Sequence, residues 1–448
     1  MINYGELLLS KVIEENNINA LLIANLKETD FITQVEKDAF NFIIEYARMN
    51  RNQAPDYRTV IGSVPGFNYR EDCKDSIQYM AKQLKDYSLK IDIMNVLNKD
   101  ASKKFNELDG TSYVDWLTDT LTKVKQEKQF NDKIGTDLVK DANDYLAEYK
   151  ARKNGESFKV WKSAFPTMNN TIGGYLSGNV YTWYGRSGRG KSIFTMVEAI
   201  ESALQGATVL IWAMEMNKFE WLTRAYTYIS AKQQLKSHKV NGTSFIGGFE
   251  AKNLLQGNLD EVDEVAFMEF LANINSIIKG KIIIRAVDDT DFYNRSCNQL
   301  QSDILSLNAD VVVIDPIYYM DFERNTSNTA GGDVANTSKK IRHIAGHTKA
   351  VIHVITQAEE VTRDTDEEGN RVLTPPNRSE IKKTKAVLED ATNTFGIDTL
   401  DGRFMIVIGK GRNGGEGTTI EGVFLAGIGA IKEYTKEEIV DAFEDYGF

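Results

Sequence analysis

The chain has 448 residues, a formal net charge of −11 at pH 7, and hydrophobic and charged fractions of 42% and 26%. This length allows two or three domains with separate cores, whereas no apolar run reaches the roughly 18 residues that a membrane span needs. The negative net charge argues against a protein that binds nucleic acid non-specifically over much of its surface. The presence of only 2 cysteines and 4 histidines argues against a disulfide framework or a structural zinc site. The first residues lack the basic-then-apolar pattern of a secretory signal, so a reducing cytoplasm is the expected location.

Residues 1–130 are predicted to form a small all-α domain. Apolar residues recur at helical spacing in Val35–Met49, Ser76–Leu97 and Tyr113–Lys125, and Tyr57–Ser63 begins a shorter helix. No pattern typical of catalysis occurs in this region. We therefore expect a domain that packs and docks on partners, without chemistry of its own.

Residues 131–158 are predicted to be a linker helix with its following connection. Asp132–Lys153 has helical character, and Asn154-Gly155 ends it. Its apolar stripe consists of Ile134, Leu138, Ala142, Tyr145 and Tyr149, spaced three or four residues apart. A single stripe on a polar helix needs a partner surface, which either the same chain or a neighbouring subunit could supply.

From residue 159 to residue 448, strands and helices alternate. Apolar, β-branched runs separated by helices predict a parallel sheet covered by helices on both faces, with ligands at the carboxyl ends of its strands. The predicted strands are Asn179–Tyr184, Thr208–Met214, Ile282–Ala286, Val311–Asp315, Val351–Thr356, Phe404–Ile408 and Thr419–Phe424. The predicted helices are Ile193–Leu204, Asn294–Leu307 and Asn336–Ala345.

A phosphate-binding loop is predicted between the first of these strands and the first helix. The sequence there fits G-x-x-x-x-G-K-[ST], in which glycines let successive N–H groups face a polyphosphate and the helix N-terminus adds partial positive charge. The candidate nucleotide-binding residues are Gly185, Arg186, Ser187, Gly188, Arg189, Gly190, Lys191 and Ser192. Lys191 is expected to reach the β- and γ-phosphates of ATP, and the Ser192 hydroxyl to bind Mg²⁺.

Polar residues end three of the predicted strands. Asp315 closes the run Val-Val-Val-Ile-Asp, where a carboxylate beside a phosphate loop holds Mg²⁺, usually through water. Glu215 follows the second strand and could polarise the water that attacks the γ-phosphate. Gln357 ends the fifth strand, where a neutral amide could sense the γ-phosphate and relay its loss to the following loop.

Two basic groups near the C-terminus are further candidates. Lys410 and Arg412 lie two residues apart, so they project to the same side of an extended segment and could reach a nucleotide bound by a neighbouring subunit. The alternative is a solvated hairpin turn, which Asn413-Gly414 could make alone. The lysines of the second group are Lys382, Lys383 and Lys385, which could track a nucleic-acid backbone or could form an ordinary solvated face.

Taken in order, these motifs resemble those of DnaB-type replicative DNA helicases, which are hexameric RecA-like ATPases. The resemblance covers about residues 160–425, with a weaker similarity over the N-terminal region and the linker helix. Its motifs are Gly-Arg-Ser-Gly-Arg-Gly-Lys-Ser at 185–192, Ala-Met-Glu-Met at 213–216, Val-Val-Ile-Asp at 312–315, Val-Ile-Thr-Gln at 354–357, Ala386–Ala391 and Lys-Gly-Arg-Asn-Gly at 410–414. The approach to the phosphate loop, Phe165–Tyr175, is similar as well.

The resemblance implies a ring of six subunits that moves 5′ to 3′ on single-stranded DNA, driven by ATP at the subunit interfaces. It implies that the linker helix docks on the adjacent subunit and that the N-terminal helices form a collar contacting primase or a helicase loader. The residue roles it implies are phosphate and Mg²⁺ binding by Lys191 and Ser192, metal assistance by Asp315, water activation by Glu215, coupling to DNA loops by Gln357, action in trans by Lys410 and Arg412, and DNA contact by Lys382, Lys383 and Lys385.

This chain departs from the family pattern at two places. Pro316 follows Asp315 where the family usually has an aromatic residue, and Lys383 and Lys385 stand where the family tends to have an acidic residue and a glycine. The N-terminal region also diverges from the family, and this divergence is consistent with a bacteriophage-encoded helicase acting in a bacterial host.

Two alternative functions remain open from the sequence. A recombinase-like strand-exchange ATPase would use the same fold, but it would form a filament on DNA and would not unwind a fork. A nucleotide-switched ring or loader would bind ATP but act mainly on protein partners, and its ATPase would not respond to DNA.

Overall fold

The structure is a computed structural model, and it describes residues 3–128, 136, 138–139, 141–240, 242–326, 328–360, 370–381, 385–412, 414–435 and 438. The chain divides into two compact units, Met1–Tyr145 and Leu146–Phe448. Across the described residues, no helix combines the length and the apolar character needed to cross a bilayer.

The first unit is helical, as the sequence predicts. Its helices are α1 (Tyr4–Glu14), α2 (Asn19–Ile23), α3 (Gln34–Met49), α4 (Tyr57–Ser63), α5 (Ile77–Asn95), α6 (Ser102–Glu107) and α7 (Gly110–Glu127). A π-helical segment, Val96–Ala101, joins α5 to α6. The helix starts follow from their caps, since Thr33 and Glu36 form a reciprocal capping box at α3 and Ser76 caps α5.

A buried charge cluster fixes the packing of the first unit. The Asp30 carboxylate lies 2.9 Å from the Lys128 ammonium and 3.6 Å from the Lys85 ammonium. Lys85 also donates a hydrogen bond to the Asn25 carbonyl, and Lys128 donates one to the Thr29 carbonyl. Because each buried charge has these partners, the cluster joins Lys85 of α5 and Lys128, which follows α7, to the segment that contains Asn25, Thr29 and Asp30.

The linker helix is α8 (Ala142–Lys153). Tyr145 and Tyr149, two members of the predicted stripe, lie on it and are largely exposed, at 75% and 55%. Leu138 precedes the helix and is exposed too. Ile134 lies outside the described residues, as does most of the predicted helix before Ala142.

The second unit is α/β. Its strands are β1 (Val160–Trp161), β2 (Tyr175–Leu176), β3 (Val180–Gly185), β4 (Thr208–Ala213), β5 (Lys236–Val240), β6 (Thr243–Gly247), β7 (Lys281–Ala286), β8 (Val311–Asp315), β9 (Val351–Gln357), β10 (Asn393–Leu400), β11 (Arg403–Gly411), β12 (Thr419–Leu425) and β13 (Ala430–Glu433). Its helices are α9 (Pro166–Ile172), α10 (Lys191–Leu204), α11 (Lys218–Lys232), α12 (Ala251–Gln256), α13 (Glu261–Ala272), α14 (Ile274–Ile277), α15 (Cys297–Leu307), α16 (Gly332–Thr348) and α17 (Ala386–Glu389).

One large sheet organises this unit, with strand order β13-β12-β11-β10-β3-β9-β8-β4-β7 in the described residues. The strands from β10 to β7 run parallel, and β11, β12 and β13 extend the sheet as antiparallel neighbours. Alternate side chains of β4 enter two different cores. Val209 and Ile211 pack on the face that carries α10 and α11, whereas Leu210 and Trp212 pack on the face that carries α15 and α16. The predicted α/β sheet covered on both faces is therefore confirmed.

The sequence reasoning missed several elements, among them strands β10 and β13 and helices α11 and α13. Strand β10 lies beside the phosphate-loop strand β3, yet its sequence Asn-Thr-Phe-Gly-Ile-Asp-Thr-Leu mixes polar residues with a glycine. The hairpin of β5 and β6 was also not predicted. The predicted helix Asn294–Leu307 begins later, at Cys297, because Ser296 accepts a hydrogen bond from the Gln299 amide and caps it.

Candidate functional site

The phosphate loop connects β3 to α10, as predicted. Gly188 and Gly190 have left-handed backbone angles, with φ values of 69° and 82°. A Cβ atom on Gly190 would lie 2.8 Å from the Phe424 ring, so this position has no room for a side chain. The loop thus turns sharply into the N-terminus of α10, whose dipole and N–H groups favour an anion at this point.

Lys191 and Ser192 begin α10 and have defined partners. The Lys191 ammonium donates a hydrogen bond to the Arg186 carbonyl at 2.7 Å, which keeps the side chain folded over the loop. The Ser192 hydroxyl donates to Asp315 Oδ1 at 3.0 Å. The structure therefore brings Asp315 next to Ser192, 123 residues earlier in the chain, as expected for a site that holds phosphate and metal.

The Asp315 carboxyl group is buried at the carboxyl end of β8. Burial raises its pKa to about 6, the hydrogen bond from Ser192 opposes that rise, and the charge of Glu215 adds to it. A cation beside this group would stabilise its ionised form. A hydroxyl and a carboxylate oxygen side by side are hard ligands that suit Mg²⁺ together with phosphate oxygens and water.

A cavity of about 550 Å³ lies over the loop, a volume typical of small-ligand sites. It is lined by residues 187–193 of the loop and α10 and by the ends of β4, β8 and β9. Glu215, Asp315 and Gln357 all face it, as predicted from their positions at strand ends. Glu215 is exposed to this space, so water can reach its carboxylate.

Several further side chains of the cavity were not predicted. Arg224 of α11 lines the cavity and forms an ion pair with Glu220 at 2.5 Å. The Tyr318 hydroxyl lies 2.6 Å from Thr356 Oγ1 and joins the segment after β8 to the end of β9. The spacing of Glu220 and Arg224 on a helix that directly follows a strand was the available signal for the first pair.

The arginines of the phosphate loop hold the segment 370–381. The Arg186 guanidinium is fully buried, donates to the Thr374 carbonyl at 2.9 Å and pairs with Glu380 at 3.0 Å. Arg189 lies 3.8 Å from the buried carboxylate of Asp398, which also pairs with Arg371. The Arg186 side chain thus points toward this segment, whereas its backbone carbonyl accepts the hydrogen bond from Lys191.

The same segment is joined to the end of β9. Gln357 is the last residue of that strand, and Gly185 lies opposite it in the register. Ala358 forms an isolated antiparallel bridge with Ile381, and the Glu359 amide donates to the Glu380 carbonyl at 2.7 Å. The chain after Gln357 therefore returns to the phosphate loop just before the predicted DNA-contact lysines.

Of those three lysines, Lys382 and Lys383 lie outside the described residues. Lys385 is exposed and occupies the N-cap position of α17. The carbonyl of Lys385 accepts hydrogen bonds from the amides of Leu388 and Glu389. The Lys385 side chain therefore projects from the start of the short helix α17.

Lys410 and Arg412 lie at the opposite edge of the sheet from the phosphate loop. Gly411 pairs with Asn393, and Asn393 pairs with Tyr181 near the start of β3, whereas the loop follows Gly185 at the end of β3. The strand from Tyr181 to Gly185 alone spans about 13 Å. Neither cation therefore reaches the nucleotide cavity of its own chain.

Three cations share this amino edge. Burial, and then the charge of Arg412, lowers the pKa of both Arg342 and Lys410, while Asp390 opposes the shift. Arg342 donates to the Gly178 carbonyl at 2.7 Å. The Arg412 guanidinium is exposed and forms no ion pair or hydrogen bond with the residues that the structure describes. The exposed Arg412 guanidinium is therefore available to bind a ligand from outside the chain.

The family model "DnaB-like helicase C terminal domain" matches residues 161–427, which is more than half of the chain. The chain belongs to the DnaB-like helicase family. The resemblance predicted from its motifs is confirmed, and the family is that of an ATP-binding, RecA-like replication helicase. Membership implies a nucleotide cofactor, usually with Mg²⁺, which the loop and the Ser192–Asp315 pair fit.

Two solved structures share the fold. A DnaB-like replicative helicase, described with its interactions with primase, matches with a TM-score of 0.67 and 13% identity over 96% of this chain and 98% of its own. A separately solved ATPase domain matches with a TM-score of 0.51 and 14% identity over 67% of this chain and 100% of its own. No curated protein sequence matches significantly. At these identities the structural matches establish the fold alone.

Proposed function

We propose that this chain is an ATP-driven replicative helicase that works as a hexameric ring, moving 5′ to 3′ on single-stranded DNA and unwinding duplex at the fork. Its cofactor is Mg²⁺-bound ATP, and bacterial cytoplasm is its place of action. One observation supports a ring-shaped assembly. The nucleotide cavity lies at the carboxyl edge of the sheet, and the free cation Arg412 lies at the amino edge.

In the proposed site, each residue near the nucleotide has one task. Lys191 leaves the Arg186 carbonyl and binds the β- and γ-phosphates, while Ser192 and Asp315 hold Mg²⁺. Glu215 accepts a proton from the attacking water, since it is the exposed carboxylate of the cavity. Arg412 of the adjacent subunit stabilises the charge that develops on the γ-phosphate.

Release of the γ-phosphate is transmitted to DNA along β9. Gln357 loses its partner, and the Ala358–Ile381 bridge carries the displacement to the lysines that follow Ile381. Arg186 links the phosphate loop to the same segment through Glu380. Hydrolysis thus changes the position of basic groups that hold the DNA backbone.

Subunit contacts in the proposed ring use the linker helix. The apolar side chains of α8 are exposed, and α13 exposes a second apolar stripe made of Val262, Val265 and Met268, with exposures of 77%, 58% and 60%. These residues are spaced three apart and share one face of the helix. We assign the stripe on α13 to the linker helix of a second copy, which would cover both surfaces.

The N-terminal unit is proposed to form a collar that binds primase or a helicase loader. Support for a primase partner comes from the solved relative, whose interactions with primase were described.

The proposed function is tested with forked substrates that carry a single-stranded tail of either polarity. We expect strand separation with ATP and Mg²⁺ only when the free 5′ tail can enter the ring, and hexamers in electron micrographs with single-stranded DNA. Filaments without strand separation would favour a recombinase instead. An ATPase indifferent to DNA would favour a nucleotide-switched loader.

A further inference from the structure

The last strands of the large sheet border an open groove of about 1230 Å³. Its walls are the hairpin of β5 and β6, the end of α11, the turn between β10 and β11, and the strands β12 and β13. Among the described residues, β13 is an edge strand of the sheet, with β12 as its neighbour on one side. Backbone groups on the outer side of an edge strand have no partners within the sheet, and folded proteins commonly cover them. An occupant of the groove would shield this end of the sheet.

The groove combines an apolar lining with a basic rim. Phe245 of β6 and Leu425 of β12 are half-buried and contribute apolar surface. The exposed cations that line the groove are Lys232, Arg403 and Lys432. Lys232 pairs with Glu201 at 2.7 Å, and Asp401 of the turn between β10 and β11 offsets a second charge, so the rim stays positive. An occupant that fits these walls has apolar side chains and a negative charge.

The chain itself enters the groove after β13, and it does so with the hydrogen bonds that begin a helix. The Thr435 amide donates to the Glu438 carboxylate at 2.8 Å, and the Glu438 amide donates to the Thr435 hydroxyl at 3.2 Å. This reciprocal pair is a capping box, the arrangement that starts a helix. Glu438 also lines the groove, where its carboxylate accepts a hydrogen bond from the Lys432 ammonium at 2.7 Å.

The segment that follows, residues 439–448, lies outside the described residues, and its sequence has the chemistry that the groove requires. Ile439, Phe443 and Tyr446 recur at helical spacing and share one face of a predicted helix. Asp441 and Glu444 fall on the opposite face. A helix of this length is marginal in water by itself, so its apolar face needs a partner surface.

We propose that segment 439–448 docks as an amphipathic helix in the groove of its own chain, with its apolar face on Phe245 and Leu425 and its acidic flank toward Arg403 and Lys432. Docking within the chain follows from continuity, since Glu438 already lies in the groove and the next Cα atom is ~3.8 Å away. Eight helical residues span about 12 Å, a length that keeps the segment beside the strands it follows. The docked helix covers the open end of the sheet.

Thiol labelling of two faces of the segment tests the docking. Ile439→Cys places a thiol on the predicted apolar face, and Asp441→Cys, the matched control, places one on the opposite face. The measurement is the rate of maleimide labelling at each position in the full-length protein, followed by mass spectrometry of the peptide. We expect Ile439→Cys to react about tenfold more slowly than Asp441→Cys, because labelling then requires local undocking. Equal rates would overturn the proposal.

A change in the rim identifies the groove as the surface that protects the thiol. Arg403→Glu reverses an exposed charge, so combined with Ile439→Cys it should raise the labelling rate toward that of Asp441→Cys. Lys252→Glu changes an exposed lysine of α12 outside the groove and should leave the protection intact. Phe443→Asp, which alters the segment alone and not the folded walls, should also abolish protection. Protection that survives both Arg403→Glu and Phe443→Asp would overturn the assignment to this groove.

Mixing separates docking within a chain from docking between chains. Chains that carry Ile439→Cys with Arg403→Glu are mixed with an excess of wild-type chains, whose grooves are intact. We expect no recovery of protection, and recovery would overturn docking within the chain.

The covering role is tested by hydrogen exchange. Deletion of residues 439–448 should speed exchange in β13 and in the hairpin of β5 and β6, but not in α15, which does not line the groove. Unchanged exchange in β13 and the hairpin would contradict the proposal. Because the groove is separate from the nucleotide cavity, either failure leaves the proposed function intact.

Discussion

The two edges of the large sheet differ in what they carry. At the carboxyl edge, the phosphate loop, Asp315, Glu215 and Gln357 surround one cavity. At the amino edge, Arg342 and Lys410 lie near Arg412, which is exposed. The comparison teaches that the cations of the amino edge cannot reach the cavity of their own chain. In the proposed ring, a second copy supplies them.

A large effect is expected from disabling the carboxyl edge. In Lys191→Ala, the cation that would bind the β- and γ-phosphates is lost, so we expect ATP turnover to fall by about 10²–10³-fold or more. Steady-state ATPase measurements with single-stranded DNA test this. Lys432→Ala should retain activity, and turnover near the wild-type level in Lys191→Ala would mean that the loop is not the site.

The second prediction tests whether the exposed stripe of α13 forms the contact between two copies of the chain. Val265→Glu places a charge in the exposed stripe of α13 that we assign to a neighbour's linker helix, and a buried unpaired charge disfavours association. We expect the concentration for half-maximal hexamer formation to rise by about tenfold or more, as measured by analytical ultracentrifugation. Ile246→Glu, an equally exposed apolar residue on β6, should assemble normally. Equal assembly of both variants would remove α13 from the interface.

A smaller effect concerns the thermal stability of the folded protein, and it involves helix α10. Glu198 of α10 is fully buried, accepts a hydrogen bond from the Ser163 hydroxyl at 2.7 Å, and has its pKa raised by burial from 4.5 to about 8. Between these values the folded protein keeps a proton that the unfolded chain has lost, so rising pH lowers stability over this range. Glu198→Gln stays neutral, so its melting temperature relative to the wild type should increase from about pH 5 to about pH 9.

The control for this measurement is Glu264→Gln, which changes an exposed glutamate of α13. Its melting temperature at each pH is the reference with which that of Glu198→Gln is compared. A difference between Glu198→Gln and the wild type that stays constant with pH would mean that Glu198 is ionised in the fold.

The carboxyl edge was largely predictable from the sequence because its signals are local. The spacing of Gly185, Gly190 and Lys191 specifies a strand–loop–helix turn, and an acidic residue after an apolar strand specifies the position of Asp315. Parallel strands then bring these ends together without further information.

The connections between the edges were not predictable, because they depend on distant partners. Asp398 makes β10 look like a loop in the sequence, yet its charge is buried against Arg371 and Arg189, both of which lie far before it in the chain. The Lys410 ammonium donates hydrogen bonds to backbone carbonyls of α17 and of the residues after it, and such carbonyls have no sequence signature.

The central claim is that Arg412 completes a site on a neighbouring subunit, and mixing two inactive variants tests it most directly. Arg412→Ala should bind nucleotide but lose about 10³-fold or more in turnover, as expected for an arginine finger. Lys191→Ala lacks a working loop but keeps Arg412. We predict that rings containing both variants recover ATP turnover, because an intact loop then meets an intact arginine at some interfaces. Co-assembled rings that remain as inactive as either variant alone would contradict the account.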